Sequence, residues 1–343
     1  MQNLKEIKGL KNNDQLAEFL GISLKYLDHL LKEEKVCVEK KSLDDENKDN
    51  PFVDFAYFYL YTKKGKKRKI YETINQGSKT ALQSIRKFLE NNYNPLECVH
   101  GFVKGKGIRT NALNHIGKKI VINLDVKNFF ESIKINQVKE VFLMLGANED
   151  IASGLAKIST IENFLPQGFY TSPILSNMVF MNIDKELSKH SKEKIYTYTR
   201  YGDDMTFSSN DNIDLGFICS IIRKNGFVLN DNKTKFMKRG RSQIVTGLSV
   251  SDHEMPRIPK KIKKLLRMHF YFLDKLGEDE YSSNFYQTSK PLHTYLIWLE
   301  GWCNYLNSVE PFLARKYFPI IEREKQLQKE VRSEDINIMN LKL

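Results

Sequence analysis

Two runs dense in β-branched and aromatic residues, 195–201 and 205–208, are separated only by Gly202-Asp203-Asp204. Such runs read as paired strands, and a link this short makes them a hairpin. Gly202 supplies the backbone freedom for the reversal. Two adjacent carboxylates, Asp203 and Asp204, are thereby held at the tip, where acidic oxygens are well placed to hold a hard cation. Alone, Tyr201-Gly202-Asp203-Asp204 reads more simply as a surface Gly-Asp turn.

A second acid stands upstream. Residues 118–125 form a short apolar run ending in Asp125, and a helix-like stretch with Phe129 and Phe130 follows. A buried strand that delivers one Asp at its C-terminal end is a common way to place a metal ligand at a sheet edge. Asp125 and Asp203 meeting around two Mg²⁺ ions would activate a primer hydroxyl and stabilise leaving pyrophosphate, the two-metal arrangement for nucleotidyl transfer. Such chemistry requires no side-chain nucleophile.

Five stretches then fall in a telling order. Asp125 with Phe130 five positions on, Leu165-Pro166-Gln167-Gly168 followed by Thr171-Ser172-Pro173 and Asn177, and Tyr201-Gly202-Asp203-Asp204 resemble the successive palm motifs of reverse transcriptases. Gly226-Phe227-Val228-Leu229-Asn230 leading to Lys233-Thr234 resembles the next palm motif, and Val245-Thr246-Gly247-Leu248 stands where that family has its primer grip. Asn111-Ala112-Leu113-Asn114-His115 and Val245-Thr246-Gly247 resemble elements of the bacterial retron enzymes in particular. The resemblance runs from about residue 57 to about residue 306. Two departures stand out: Gly202, where retron enzymes more often carry Ala, and Phe169-Tyr170, where Ala-Pro is usual. The second bears on the shape of the nucleotide pocket.

The resemblance implies an α+β right-hand polymerase with fingers, a palm with an antiparallel sheet and a helical thumb, behind a short helical N-terminal extension. The implied divisions are 1–50, 51–250 and 251–343. It implies RNA-templated DNA synthesis, with Asp125, Val126, Asp203 and Asp204 as the metal set for two Mg²⁺ ions. Arg68 or its neighbour Lys69 would grip the triphosphate, and a plain basic hairpin tip is an equal reading. Phe130 would exclude a 2′-hydroxyl, while Gln167 and Gly168 line nucleotide and template. Lys233 reads equally as proton donor to pyrophosphate, phosphate contact or solvent-facing lysine. The expected RNA contacts are Asn111, His115, Val245, Thr246, Gly247, Lys260, Lys261 and Lys264; His115 is given no acid-base role. Retron kinship further implies a structured non-coding RNA as primer and template, an RNA-DNA hybrid product, dNTP substrates, and anti-phage defence through a separate effector protein. Two rivals remain open: a reverse transcriptase of another bacterial class, and a catalytically idle RNA-binding scaffold.

Composition is compatible with this. The 343 residues, 41% hydrophobic, allow two or three packed units. No run is long enough to cross a bilayer and no signal-peptide pattern opens the chain, so a cytoplasmic location is expected. Cys37, Cys98, Cys219 and Cys303 lack metal-type spacing and read as free thiols. Against 42 acidic residues, 54 Lys and Arg leave +12, which favours a polyanionic partner without requiring one. The charge is concentrated at 63–69 and 260–267, on either side of the palm motifs.

Residues 14–31 show apolar residues at helical spacing, broken by Gly21 and restarted by Ser23 as an N-cap. This resembles a helix-turn-helix, although a helix pair packed on a larger body uses the same pattern. Residues 43–51 read as a linker, and Phe55–Tyr61 with 68–71 as a two-stranded ribbon. The segment 101–109 has three glycines at the wrong spacing for a dinucleotide fingerprint and reads as a flexible basic loop near template. After Lys235 a hairpin is expected through Val250, then helices, with Leu296, Ile297, Leu299, Trp302, Tyr305 and Leu306 packing one of them and Trp302 in the core.

Overall fold

The structure is a computed structural model and describes residues 7–32, 35, 37–40, 53–61, 65, 67–285, 292–327 and 329. The expected linker at 43–51 and the basic residues Lys63, Lys64 and Lys66 lie outside the described residues. In chain order the elements are α1 (Asn13–Leu20), α2 (Leu24–Leu30), β1 (Cys37–Glu39), β2 (Phe55–Tyr61), β3 (Lys67–Thr73), α3 (Gln76–Asn92), α4 (Ile108–Leu113) and β4 (Ile120–Asp125). Then follow α5 (Phe129–Ser132), α6 (Ile135–Met144), α7 (Glu149–Ser159), α8 (Ser172–Val179), α9 (Met181–Glu193), β5 (Thr197–Tyr201), β6 (Asp204–Ser209) and α10 (Leu215–Lys224). The last are β7 (Lys235–Lys238), β8 (Ile244–Val245), β9 (Leu248–Ser249), α11 (Lys260–Phe285), α12 (Leu292–Val309) and α13 (Pro311–Ala314). By packing, the chain forms two compact units, Met1–Gly107 with Ile122–Phe236, and Ile108–Val121 with Met237–Leu343.

In the first unit, local signals set the N-terminal helix pair. The Asn12 side chain accepts from the Gln15 amide to start α1, Gly21 ends it in the left-handed region, and Ser23 accepts from Tyr26 to start α2. Leu16, Leu20, Leu27 and Leu30 are buried. On α2, Tyr26 donates to the buried carboxylate of Asp54 at 2.7 Å, and His29 Nε2 lies 2.8 Å from its other oxygen. The second helix is therefore spent on packing inside the unit.

A three-stranded sheet has the order β1-β2-β3, with Tyr57 opposite Tyr71 and Leu60 opposite Arg68 across the antiparallel pair. The expected ribbon is present, with β3 longer than the sequence suggested. A four-stranded sheet has the order β5-β6-β4-β7. Alternation along β5 and β6 sends Tyr198 and Phe207 inward, where their rings stack at 4.8 Å, and Phe129, Phe180 and Phe227 fill the space beneath the sheet. Phe169 also turns inward: it is buried and stacks on Phe55 at 4.6 Å. Lys35 caps this pair, its Nζ 5.5 Å above the Phe55 ring, while donating to the carbonyls of Lys157, Ile158 and Thr160 at the end of α7. Burial pushes the Lys35 ammonium down to about 7. The negative charges of Cys37 and Asp54 oppose this.

The second unit has its own core, built from Val245, Leu248, Leu266, Phe270, Leu273, Leu296, Leu299, Cys303 and Leu306 among others. Its long helix α11 is broken at Gly277, whose φ is 73°. On α12, Leu296, Leu299 and Leu306 are buried as expected, but Ile297 is 61% exposed. Trp302 is half-buried rather than central: its ring lies at the margin of the core against Trp298 and Tyr305. The 3.6-residue period explains Ile297, which follows Leu296 by about 100° of turn and so leaves the buried face. All four cysteines are free. Among the described residues, no helix is long and apolar enough to cross a membrane.

Candidate active site

Asp125 is the last residue of β4 and Asp204 the first of β6, neighbouring strands of one sheet. Tyr201 pairs with Asp204, so Gly202 and Asp203 form a two-residue turn, with Gly202 at φ 64°. The Val126 amide donates to the Asp203 carbonyl at 3.3 Å. This bond joins the two acidic positions, 78 residues apart in sequence, at one end of the sheet.

The segment after α10 fixes Asp125 from the other side. Lys127 N donates to Val228 O and Asn230 N to Asp125 O, both at 2.8 Å, around a Val126–Leu229 bridge. Asn230 Nδ2 donates to Asp125 Oδ1 at 3.1 Å and Lys233 Nζ to Oδ2 at 2.6 Å. Burial pushes the Asp203 carboxyl above the ordinary range; the like charge of Asp125 adds to this, and Lys233 and Arg68 oppose it. Desolvation on its protein-facing side, then the charges of Asp203 and Asp125, push Asp204 up to about 6, although the residue as a whole is exposed.

The turn is supported from beneath by a buried ion pair. Arg200 and Asp184 are both fully buried, with Nε at 2.9 Å from Oδ1 and Nη2 at 2.6 Å from Oδ2. The remaining guanidinium nitrogen, Nη1, donates to the Gly202 carbonyl at 3.1 Å and to Asn177 Oδ1 at 3.0 Å. Asn177 Nδ2 in turn donates to the Gly101 carbonyl at 2.9 Å. The Gly101 region is thus pinned against the turn and is no floppy loop: a Cβ on Gly101 would stand 2.3 Å from the Gly202 nitrogen. Neither Arg200 nor Asp184 carries a sequence signal for this role, and Gly101 falls in the segment expected to be a flexible basic loop near template.

Comparison with known proteins gives the family. Residues 61–265 match the family model "Reverse transcriptase (RNA-dependent DNA polymerase)". Retron Ec86 reverse transcriptase of Escherichia coli is 31% identical over 79% of this chain and 82% of its own length. The chain belongs to the retron reverse transcriptases. Retron Mx65 reverse transcriptase of Myxococcus xanthus is 34% identical over 46% of this chain and 44% of its own. A solved structure of apo telomerase from Candida Tropicalis, truncated from its C-terminal domain, aligns over 58% of this chain and 53% of its own, with TM-score 0.43 and 12% identity. Family membership carries the right-hand polymerase fold and makes this retron reverse transcriptase an RNA-directed DNA polymerase.

Of the nucleotide residues read from the sequence, Arg68 acts electrostatically on Asp203. Lys69 does not face the same way. Successive residues of a strand point to opposite sides, and Lys69 is turned to Glu162 at 3.4 Å and over the rings of Tyr57 and Tyr71. Phe130 lies 5.4 Å from Phe129 and 6.2 Å from Phe102. The Gln167 carbonyl accepts from Tyr71 N at 2.8 Å, and Gly168, at φ 112°, runs so close that a Cβ would stand 2.0 Å from Tyr71 O. Only glycine fits there.

The expected RNA contacts all fall in the second unit. Asn111, His115 and Val245 are buried inside it. Asn111 Nδ2 donates to Thr246 Oγ1 at 3.4 Å, and the Thr246 hydroxyl donates to Ile108 O at 3.2 Å. Asn111 thus braces from within the tight turn at Thr246 and Gly247, both at positive φ. Gly247, Lys260, Lys261 and Lys264 are exposed.

The metal implied by the family meets a suitable donor set. Asp125, Asp203 and Asp204 offer only hard oxygens, and a cation would offset both the burial and the neighbouring acid charges that push Asp203 and Asp204 up. Among the described residues, no three His, Cys, Asp or Glu side chains already stand together as a ligand set. Lys233 and Asn230 engage the Asp125 oxygens instead.

Proposed function

We propose that this enzyme copies a structured non-coding RNA into DNA that stays joined to it, by two-metal nucleotidyl transfer at Asp125 and Asp203. The observation that carries the reading is the Val126–Asp203 backbone bond, which draws both acidic positions to one sheet end. Asp125, Val126, Asp203 and Asp204 would hold two Mg²⁺ ions. When bound, the ions supply charge neutralisation and activation of the primer hydroxyl.

The chain's own contribution is alignment. Arg68, on the site side of β3, grips the triphosphate. Phe130 closes the space a 2′-hydroxyl would need, and the backbone at Gln167 and Gly168 bears on the nascent pair. Lys233, which neutralises Asp125 before substrate arrives, is free to turn to pyrophosphate once cations replace it. In the second unit, the Thr246-Gly247 turn and the Lys260, Lys261 and Lys264 face take the RNA by shape and phosphate charge. In this reading residues 51–250 act as fingers and palm and 251–343 as thumb, and anti-phage defence operates through a separate effector.

The test is incubation of the purified full chain with RNA transcribed from the flanks of its gene, Mg²⁺ and labelled dNTPs. A labelled product that DNase shortens and that remains attached to RNA supports the reading. DNA made without attachment to RNA would remove the retron-specific part, and no DNA at all would remove the polymerase.

A further inference from the structure

Beside the Tyr201 to Asp203 turn lies a second opening, a cavity of about 1060 Å³, at the upper end of the range for ligand pockets. Its walls include five aromatic residues, Tyr93, Phe102, Phe169, Tyr170 and Tyr201, and three basic ones, Arg86, Lys104 and Lys106. It shares Gly168 and Tyr201 with the site already described, but Asp125, Arg68 and Phe130 do not line it. It is therefore not the place for a triphosphate and its cations.

Two features show that the aromatic wall is built. Phe102 sits at φ 60°, a backbone conformation that a bulky residue adopts only when its surroundings enforce it. It is nonetheless 49% exposed, and it lies against Gly202 and 6.2 Å from Phe130. The second feature is the pair Phe169-Tyr170, two adjacent aromatic residues that point different ways. Phe169 turns inward to Phe55, and its neighbour Tyr170 stays half-buried on the cavity wall.

The charges decide the occupant. Lys106 is spent on the carbonyls of Leu96, Glu97 and Val99, and Arg86 on Glu90. Lys104 is exposed and available to a phosphate. Aromatic faces with a cation beside them are the means by which proteins hold unpaired bases, since every base has a π-face. A base within a duplex is already stacked and offers no free face to such a wall.

We propose that Tyr170 is a stacking platform for an unpaired nucleobase of the RNA template, held in this cavity beside the reacting position. The site rests on the polymerase reading above.

The probe is a hairpin RNA with a 5′ single-stranded overhang carrying 2-aminopurine at successive positions, whose fluorescence falls on stacking. With the wild-type chain, one overhang position is quenched on binding. Tyr170→Leu restores the fluorescence and weakens overhang binding about tenfold, while a blunt hairpin binds as before; Tyr170→Phe keeps the quench. Equal quenching and equal affinity in Tyr170→Leu overturn the proposal, as does loss of the quench on adding dNTP alone, which would make this a nucleotide site. If Tyr170→Leu does not fold, Tyr170→Trp decides: a deeper quench and tighter overhang binding support the platform, and no change refutes it. A wild-type chain that binds neither RNA refutes the polymerase reading itself and the platform with it.

Discussion

The guanidinium of Arg200 grips Asp184 with Nε and Nη2 and gives Nη1 to the carbonyl of Gly202, one residue before Asp203. A fully buried charge pair thus holds the turn that carries the acids. Removing one partner leaves the other charge uncompensated, which costs about 3–5 kcal/mol. Asp184→Ala is expected to lose that much in urea unfolding. Arg200→Lys keeps the charge but not the planar fork, so it should fold more readily than Asp184→Ala and still extend primers slowly, because Gly202 and Asn177 lose their donor.

Gly101→Ala tests the approach of the 98–101 segment to the same turn. The added Cβ would meet backbone, at 2.3 Å from the Gly202 nitrogen, and backbone cannot move aside as a side-chain tip can. The expected cost is about 1–3 kcal/mol of overpacking. Thermal melting measures it, and the extension rate should drop because the strain falls on the turn itself. A variant with wild-type melting and rate would show that the contact is slack.

Much of this architecture was readable in the chain. The β-branched and aromatic runs flanking Gly202, the apolar strand ending in Asp125, and the caps at Gly21 and Ser23 are local signals, and the structure places each as its chemistry dictates. The Asp184–Arg200–Asn177 network was not readable, because a buried ion pair has no periodicity and its members come from α8, α9 and β5. The choice between Arg68 and Lys69 needed strand register, which the sequence leaves open by one residue. That Asn111 and Val245, read as RNA contacts, have buried side chains, with Asn111 donating to Thr246 from inside, has no local signal in the sequence.

Phe130→Ala should relax sugar selection. Removal of the ring opens the space that a 2′-hydroxyl needs, and preference for dNTPs over rNTPs is expected to fall roughly 10-fold to 100-fold, the scale of steric discrimination in a pocket. Competing single-nucleotide incorporation measures it. Undiminished discrimination would remove Phe130 from this role.

The raised Asp204 carboxyl makes a prediction about stability without added cations. Its folded pKa, about 6, lies above its unfolded value near 3.8, so the folded state binds more protons between those limits. Stability from this group is present below about pH 4 and is lost as pH rises through 6. Asp204→Asn should therefore melt higher than wild type at pH 7 and no higher at pH 4, by less than about 1 kcal/mol because solvent screens an exposed group. An equal gain at both pH values would contradict an origin in the ionised carboxylate, which burial first and then the charges of Asp203 and Asp125 disfavour.

The most direct test of the central claim is single-turnover incorporation of one dNTP on an RNA template by wild type, Asp125→Asn and Asp203→Asn, with RNA affinity measured in parallel. The account predicts that each substitution slows incorporation roughly a hundredfold or more while RNA binding and melting stay near wild type. Incorporation at the wild-type rate by either variant would show that the two acids do not share the chemistry.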